Sequence, residues 1–314
     1  MSKKVQDVEK DIYTVLDSGL DHDPSPELAA AYAMRIGGEM AKSTRPRSQE
    51  RESGRLWASD LGESCNRKTY YKFALPDKAA PLLGHTKFKF LYGNILEEAV
   101  LYMAEEGGHK VEAQQHPVKT NITLDITGDE YTVSGRIDAV VDNVLVDVKS
   151  TSSFGYKKYE KEGLNKDNDA FGYLYQLGYY HHFLEDVPDR KLNECGFLWI
   201  DKQNGHILYQ DVSEEIPTKQ ELLARIHDKI KVIEDGFEPA RPTGPGFDPR
   251  PEGKSGNMKL DTKCSYCDFK NHCWRDANGG KGLRTFAYNY GPVSLTEVAL
   301  EPRVAEIKWR LSNA

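Results

Sequence analysis

The stretch Ser134-Gly-Arg-Ile-Asp138-Ala-Val-Val-Asp-Asn-Val-Leu-Val-Asp147-Val-Lys149-Ser150 leaves this chain few choices. Two β-branched runs flank Asp142-Asn143, residue types that tolerate the backbone of a two-residue hairpin turn. With the turn placed there, Val141 faces Val144, Val140 faces Leu145, Ala139 faces Val146 and Asp138 faces Asp147. Side chains alternate along a strand, so Lys149 shares the face of Asp147. Val146 and Val148 turn to the other face, where a core helix is expected to cover them. A slip of one residue would move Asp147 off the face of Asp138.

Opposed carboxylates on neighbouring strands stand about 5 Å apart and repel. A hard divalent cation with oxygen ligands offsets that cost, and Mg²⁺ or Mn²⁺ suits carboxylates. Lys149 adds a positive charge beside such an ion or beside a phosphate. The set fits metal-assisted hydrolysis of a phosphodiester, with the lysine orienting the nucleophile. Acids and lysines on strands are common, so the pattern gains weight only from company elsewhere.

Two features supply it. A long helix is expected over 85–106, carrying Phe88, Leu91, Ile95, Val100 and Met103. Its Gly93-Asn-Ile-Leu-Glu97-Glu98 segment offers Glu97 as a third carboxylate, with Glu98 expected to face solvent. A second helix is expected over 168–186. There Tyr173, Gln176 and Tyr180 fall at i, i+3 and i+7, on one face. A glutamine can bond a phosphate or a base edge, and tyrosines can stack on unpaired bases.

Cysteine usage gives a separate signal. Of Cys65, Cys195, Cys264, Cys267 and Cys273, three fall in the C-terminal CxxCx5C run. An odd count with such clustering points to a metal centre in a reducing compartment rather than to disulfides. A tetrahedral zinc or a cubane cluster needs a fourth ligand. Cys65 is the natural candidate, whereas Cys195 reads as a buried strand residue; His272 is the alternative for zinc.

The rest of the chain sets limits. Hydrophobic residues make up 39% of the 314, enough for a real core. No run approaches the roughly 20 apolar residues of a membrane span, and the N-terminus lacks the apolar core of a secretory signal. A cytoplasmic protein with no membrane partner is therefore expected. The formal charge of −7 argues against binding nucleic acid through the whole surface. Yet eight basic residues stand against four acidic ones between Lys42 and Lys72. Arg67 and Lys68, beside Cys65, are the best candidates there for phosphate contact.

Val5, Val8, Ile12 and Leu16 mark a first helix, residues 27–42 a second, and the polar 43–55 a flexible linker. The pattern turns to β over 110–150. Two strand runs surround Asn204-Gly205, a helix follows over 217–236, and a further one is expected near 301–311. The order implies a mixed α/β fold. The expected division is 1–55 helical extension and linker, 56–240 core, 241–290 cysteine segment packing with the Cys65 region, and 291–314 tail.

GRIDAVV…VDVKS, Gly93-x-x-x-Glu97 and Gln176-x-x-x-Tyr180 resemble the PD-(D/E)XK nuclease superfamily, specifically its RecB-like exonuclease branch. The resemblance implies a restriction-endonuclease-like core over roughly residues 85–215, with a mixed central sheet flanked by helices. It implies Glu97, Asp138, Asp147 and Lys149 as the active centre, the three acids as ligands of Mg²⁺ or Mn²⁺, and Gln176 and Tyr180 beside DNA. Two departures stand out: Ile137 replaces the motif's proline, and Glu97 lies where iron–sulfur members often carry histidine, though lambda-type phage exonucleases carry glutamate. A distant N-terminal cysteine followed by a C-terminal CxxCx5C is similar to the CRISPR-associated exonucleases and AddB-type subunits. That likeness implies a [4Fe–4S] cluster on Cys65, Cys264, Cys267 and Cys273, stapling the chain around the core, with structural zinc as the alternative.

The expected function is a metal-dependent DNA exonuclease acting on single strands or duplex ends, in recombination, repair or end processing. The resemblance implies a recombination or replication protein as partner and is compatible with a phage source. The alternative is a non-catalytic nucleic-acid-binding protein with a structural metal.

Overall fold

The computed structural model describes residues 3–45, 54–82, 84–123, 130–184 and 192–307. The chain forms two units. The first comprises Met1–Gly62 with Leu83–Asp228, the second Glu63–Leu82 with Lys229–Ala314. Among the described residues no helix is long and apolar enough to cross a membrane.

The first unit is built on a mixed five-stranded sheet. Its strands are β2 (Val111–Glu112), β5 (Ala139–Val141), β6 (Val144–Thr151), β7 (Cys195–Asp201) and β8 (Ile207–Asp211), in that spatial order. Only β6 and β7 run parallel; the other pairs are antiparallel. A three-stranded sheet joins β1 (Arg55–Trp57), β4 (Glu130–Arg136) and β3 (Pro117–Thr123). The helices are α1 (Val8–Asp17), α2 (Pro26–Thr44), α3 (Ala58–Leu61), and, after α4 (Asn66–Ala74) of the second unit, α5 (Gly84–Glu106), α6 (Ser153–Glu162) and α7 (Tyr173–Phe183). Helix α8 (Lys219–Glu234) begins in the first unit and ends in the second.

The hairpin register is the one the sequence dictates. Ala139 pairs with Val146, Val140 with Leu145 and Val141 with Val144. Asp142 (φ 50°) and Asn143 (φ 70°) both take the left-handed backbone of the tight turn. Val146 and Val148 are buried against Val100, Leu101 and Ala104 of α5, with Val5, Val8 and Ile12 completing that core. Each fully buried side chain of this size contributes roughly 1.5–3 kcal/mol, so this face alone fixes which way β6 turns. Leu16, expected in the same stripe, is 55% exposed at the end of α1.

Other expectations shift. Helix α7 starts at Tyr173 because Asp169 accepts hydrogen bonds from the backbone N–H groups of Gly172, Tyr173 and Leu174. Helix α6 gave no clear periodic signal; among its polar residues only Tyr156 and Tyr159 are buried. Thr218, not Pro217, starts α8: its hydroxyl accepts from Glu221 N–H while the Glu221 carboxylate accepts from Thr218 N–H.

The second unit carries an antiparallel sheet in the order β11 (Arg284–Tyr288), β12 (Gly291–Glu297), β10 (Met258–Lys259), β9 (Arg250–Pro251). Residues 291–297, read as tail, are an inner strand of it. Residues 301–307 form no helix; Glu306 bridges to Phe286, and Arg284 pairs with Glu301 and Glu306. The remainder of the expected 301–311 helix, and Arg47 and Arg51 of the basic stretch, lie outside the described residues.

Candidate active site and cysteine centre

Helix α5 and the β5–β6 hairpin of the first unit bring the acids and the lysine together. Helix α5 supplies Glu97, the residue before β5 is Asp138, and β6 supplies Asp147 and Lys149. Asp147 is 2% exposed, and its Oδ2 lies against the Lys149 ammonium. Asp138 Oδ2 accepts from Val148 N–H at 2.8 Å, which fixes that carboxylate across the hairpin. Glu97 Oε1 accepts from Gln115 Nε2 at 2.8 Å. Close approach of α5 to β6 uses Gly93, where a Cβ would come 3.3 Å from Ser150 Oγ.

The electrostatics follow from that crowding. Burial pushes the Glu97 carboxyl well above the usual range, and the charges of Asp138 and Asp147 push it further. Asp138 is raised in the same direction by burial and by Asp147. For Lys149, burial disfavours the ammonium, but Asp147 and then Asp138 outweigh it and hold the proton on. Its Nζ also lies 5.5 Å from the centre of the Tyr173 ring. Three carboxylates against one ammonium leave an excess of negative charge, and protons compensate it when no cation does.

Gln115 is a site residue that sequence reading missed. Its φ is 54° and that of Ala113 is 51°, a left-handed pair in the loop before β3. Gln115 N–H donates to Asp138 O, so this one residue ties the Glu97 carboxylate to the backbone of the hairpin. Nothing in the sequence marks it, because glutamine rarely signals positive φ.

On α7, Gln176 is half-buried and its Nε2 donates to Tyr180 Oη at 3.3 Å. Tyr180 is only 3% exposed. A Cβ on Gly135 would come 2.5 Å from its hydroxyl, so the tyrosine abuts β4. Its buried ring offers no face to a base, which corrects the stacking expected of it; burial also raises the phenol to about 12. Glu98 is corrected as well. It is 5% exposed, its Oε2 has no hydrogen-bond partner among the described residues, and burial raises its carboxyl, with Arg35 of α2 opposing the rise.

The cysteine centre belongs wholly to the second unit. Cys65, Cys264, Cys267 and Cys273 line one pocket together with Lys68, Tyr71, Phe247 and Trp274. His272 is not among the lining residues; its ring packs edge-on against Tyr71 at 5.0 Å. Cys65 caps α4, its Sγ accepting from Lys68 N–H at 3.3 Å. Behind it, fully buried Lys229 donates to Glu63 O, Asn66 Oδ1 and Thr69 Oγ1. Burial raises all four thiols, and neighbouring sulfurs add to the rise for Cys65, Cys264 and Cys267. Cys195 is buried in β7 and belongs to the first unit.

Arg67 and Lys68 are already engaged. Arg67 pairs with Glu238 and donates to Tyr71 Oη, and Lys68 Nζ pairs with Glu63 at 2.7 Å. Their side chains are 12% and 22% exposed, so a phosphate would have to displace a carboxylate to reach either.

Among the described residues, no three His, Cys, Asp or Glu side chains stand close enough to share one metal ion. The donor chemistry of both places fits a metal nonetheless. Carboxyls with raised proton affinity suit a hard divalent ion, and four thiols lining one pocket suit a soft one or a cluster.

A model of the PD-(D/E)XK nuclease superfamily matches residues 57–274. Among solved structures, the crystal structure of SSO0001 aligns over 63% of this chain and 83% of that chain, with a TM-score of 0.42 and 14% identity. No curated protein matches significantly.

Proposed function

Since the chain belongs to the PD-(D/E)XK nuclease superfamily, we propose that it is a metal-dependent deoxyribonuclease that degrades DNA from ends. The mixed sheet flanked by helices is the restriction-endonuclease-like architecture of that superfamily. The observation that carries the proposal is the grouping of Glu97, Asp138, Asp147 and Lys149 at the β5–β6 hairpin, near enough for their charges to act on one another.

Asp138 and Asp147 would hold Mg²⁺ or Mn²⁺, with Glu97 assisting. Bound there, the ion would polarise the phosphodiester and acidify water. Asp138 keeps its orientation through Val148 N–H, and Glu97 through Gln115. Lys149, whose ammonium Asp147 and Asp138 stabilise, orients the nucleophile and faces the developing negative charge. Gln176, half-buried on α7 with its Nε2 on Tyr180 Oη, would reach a phosphate or base edge only by giving up that bond.

The same reading assigns a structural [4Fe–4S] cluster to Cys65, Cys264, Cys267 and Cys273. It would staple residue 65 to the run 264–273 and so close a long loop, which favours the folded state. Absorption near 400 nm in anaerobically purified protein supports the cluster; a colourless protein with one zinc per chain assigns zinc instead. A role in recombination or end processing in the cytoplasm follows the RecB-like resemblance. End-labelled linear DNA and closed circular DNA, each with Mg²⁺, Mn²⁺ or EDTA, test the activity. Release of labelled short products from linear DNA alone supports end-directed cleavage. Cleavage of the circle assigns endonuclease action, and no cleavage of either overturns the proposal.

A further inference from the structure

The buried residues of helix α5, Glu98, Val100, Leu101 and Ala104, all lie in its C-terminal half, whereas from Gly84 to Tyr92 no residue is buried. That exposed part reads Gly84-His85-Thr86-Lys87-Phe88-Lys89-Phe90-Leu91-Tyr92 and contains no acid; the first in the helix is Glu97. Phe88 is 69% exposed and Phe90 51%. An exposed ring carries weight as a binding group only where its position joins it to other features.

Helical geometry sorts these residues. At about 100° per residue, Phe90 lies seven positions before Glu97 and returns to the same face, about 10 Å along the axis. Gly93, which lets α5 approach Ser150, sits between them on that stripe. Lys87 and Lys89 fall on the two flanks of the stripe. Phe88 points to the opposite side.

We infer that Phe90, flanked by Lys87 and Lys89, is a stacking and phosphate-binding ramp that delivers an unpaired DNA strand to the catalytic carboxylates. The inference rests on the nuclease reading and names its substrate as single-stranded DNA or a frayed end. The charge is complementary to phosphates, and the ramp is continuous with the site that would cut them. An aromatic ring takes up a base only where the base has a free face. Within a duplex each base is stacked on both sides, so intact duplex gains little from Phe90.

The test uses full-length protein and a fluorescein-labelled oligothymidylate, with binding read by anisotropy in EDTA. Phe90→Ala is expected to weaken binding about tenfold, the loss of one base–aromatic stack, while Phe90→Trp retains it. Phe88→Ala, on the far side, should bind within about twofold of wild type. Lys87→Ala with Lys89→Ala should lower the slope of log affinity against log salt by about 0.7 per lysine. Blunt duplex should respond to Phe90→Ala far less than the single strand.

Unchanged binding by Phe90→Ala overturns the ramp. Equal losses for Phe88→Ala and Phe90→Ala overturn it too, as does loss of self-association or of binding to anionic vesicles without any change in DNA affinity. Cleavage of the same oligonucleotide in Mg²⁺ or Mn²⁺ is followed in parallel. Wild-type binding that depends on Phe90 but brings no cleavage supports the ramp and sinks the nuclease reading alone. Cleavage with Phe90-independent binding sinks only the ramp.

Discussion

Gln115 shows how a site depends on a residue that no motif contains. Its backbone sits at φ 54°, and its side chain and N–H reach Glu97 and Asp138 O. Gln115→Ala should retain the fold and lower the cleavage rate about tenfold, the worth of roughly 1–1.5 kcal/mol of lost carboxylate positioning. Single-turnover rates check this, and an unchanged rate would show that Glu97 needs no such tether. The acids and lysine of the hairpin were legible because strand alternation and one turn fix their faces. Glu98 was misread because adjacent helix positions differ by 100°, and packing of α2, whose Arg35 acts on Glu98, covers a side that the sequence leaves to solvent. Tyr180 was misread for a related reason: helical spacing shows that it shares a face with Gln176, but not that β4 covers that face.

At the scale of elements, short local interactions position the chemistry. Asp169 satisfies three N–H groups at the start of α7, the helix that carries Gln176. Asp169→Ala should cost about 1–2 kcal/mol in urea unfolding, as lost N-terminal caps do. In the second unit, Lys229 holds the segment around Cys65 through three acceptors. Lys229→Met leaves those acceptors buried and unpaired, at a cost of roughly 3 kcal/mol. Metal analysis should then find less iron or zinc per chain, because Cys65 is no longer held beside the other thiols; full loading would contradict this. The strands β9 and β10 escaped sequence reading because two-residue strands carry no period. Residues 291–297 escaped it because Gly291-Pro292 reads as a turn signal.

For the molecule as a whole, the buried acids make stability depend on pH and on cations. Glu97, Asp138 and Glu98 all have carboxyls raised on folding, so the folded state binds more protons than the unfolded one. Their contribution is complete below the ordinary carboxylate range and is lost as pH rises through the raised values. The metal-free protein should therefore melt at falling temperatures from mildly acidic pH up to about 9. Added Mg²⁺ or Mn²⁺ should raise the melting temperature more at alkaline pH than at acidic pH, since it competes with those protons. A cation effect that is flat with pH would place the ion elsewhere. The most direct test of the central claim is the cleavage rate of Asp147→Asn on end-labelled single-stranded DNA with Mg²⁺ or Mn²⁺. This substitution keeps the size of a side chain that is 2% exposed while removing its charge. The account predicts a rate lower by about a thousandfold or more, with wild-type secondary structure. Cleavage at the wild-type rate would contradict it.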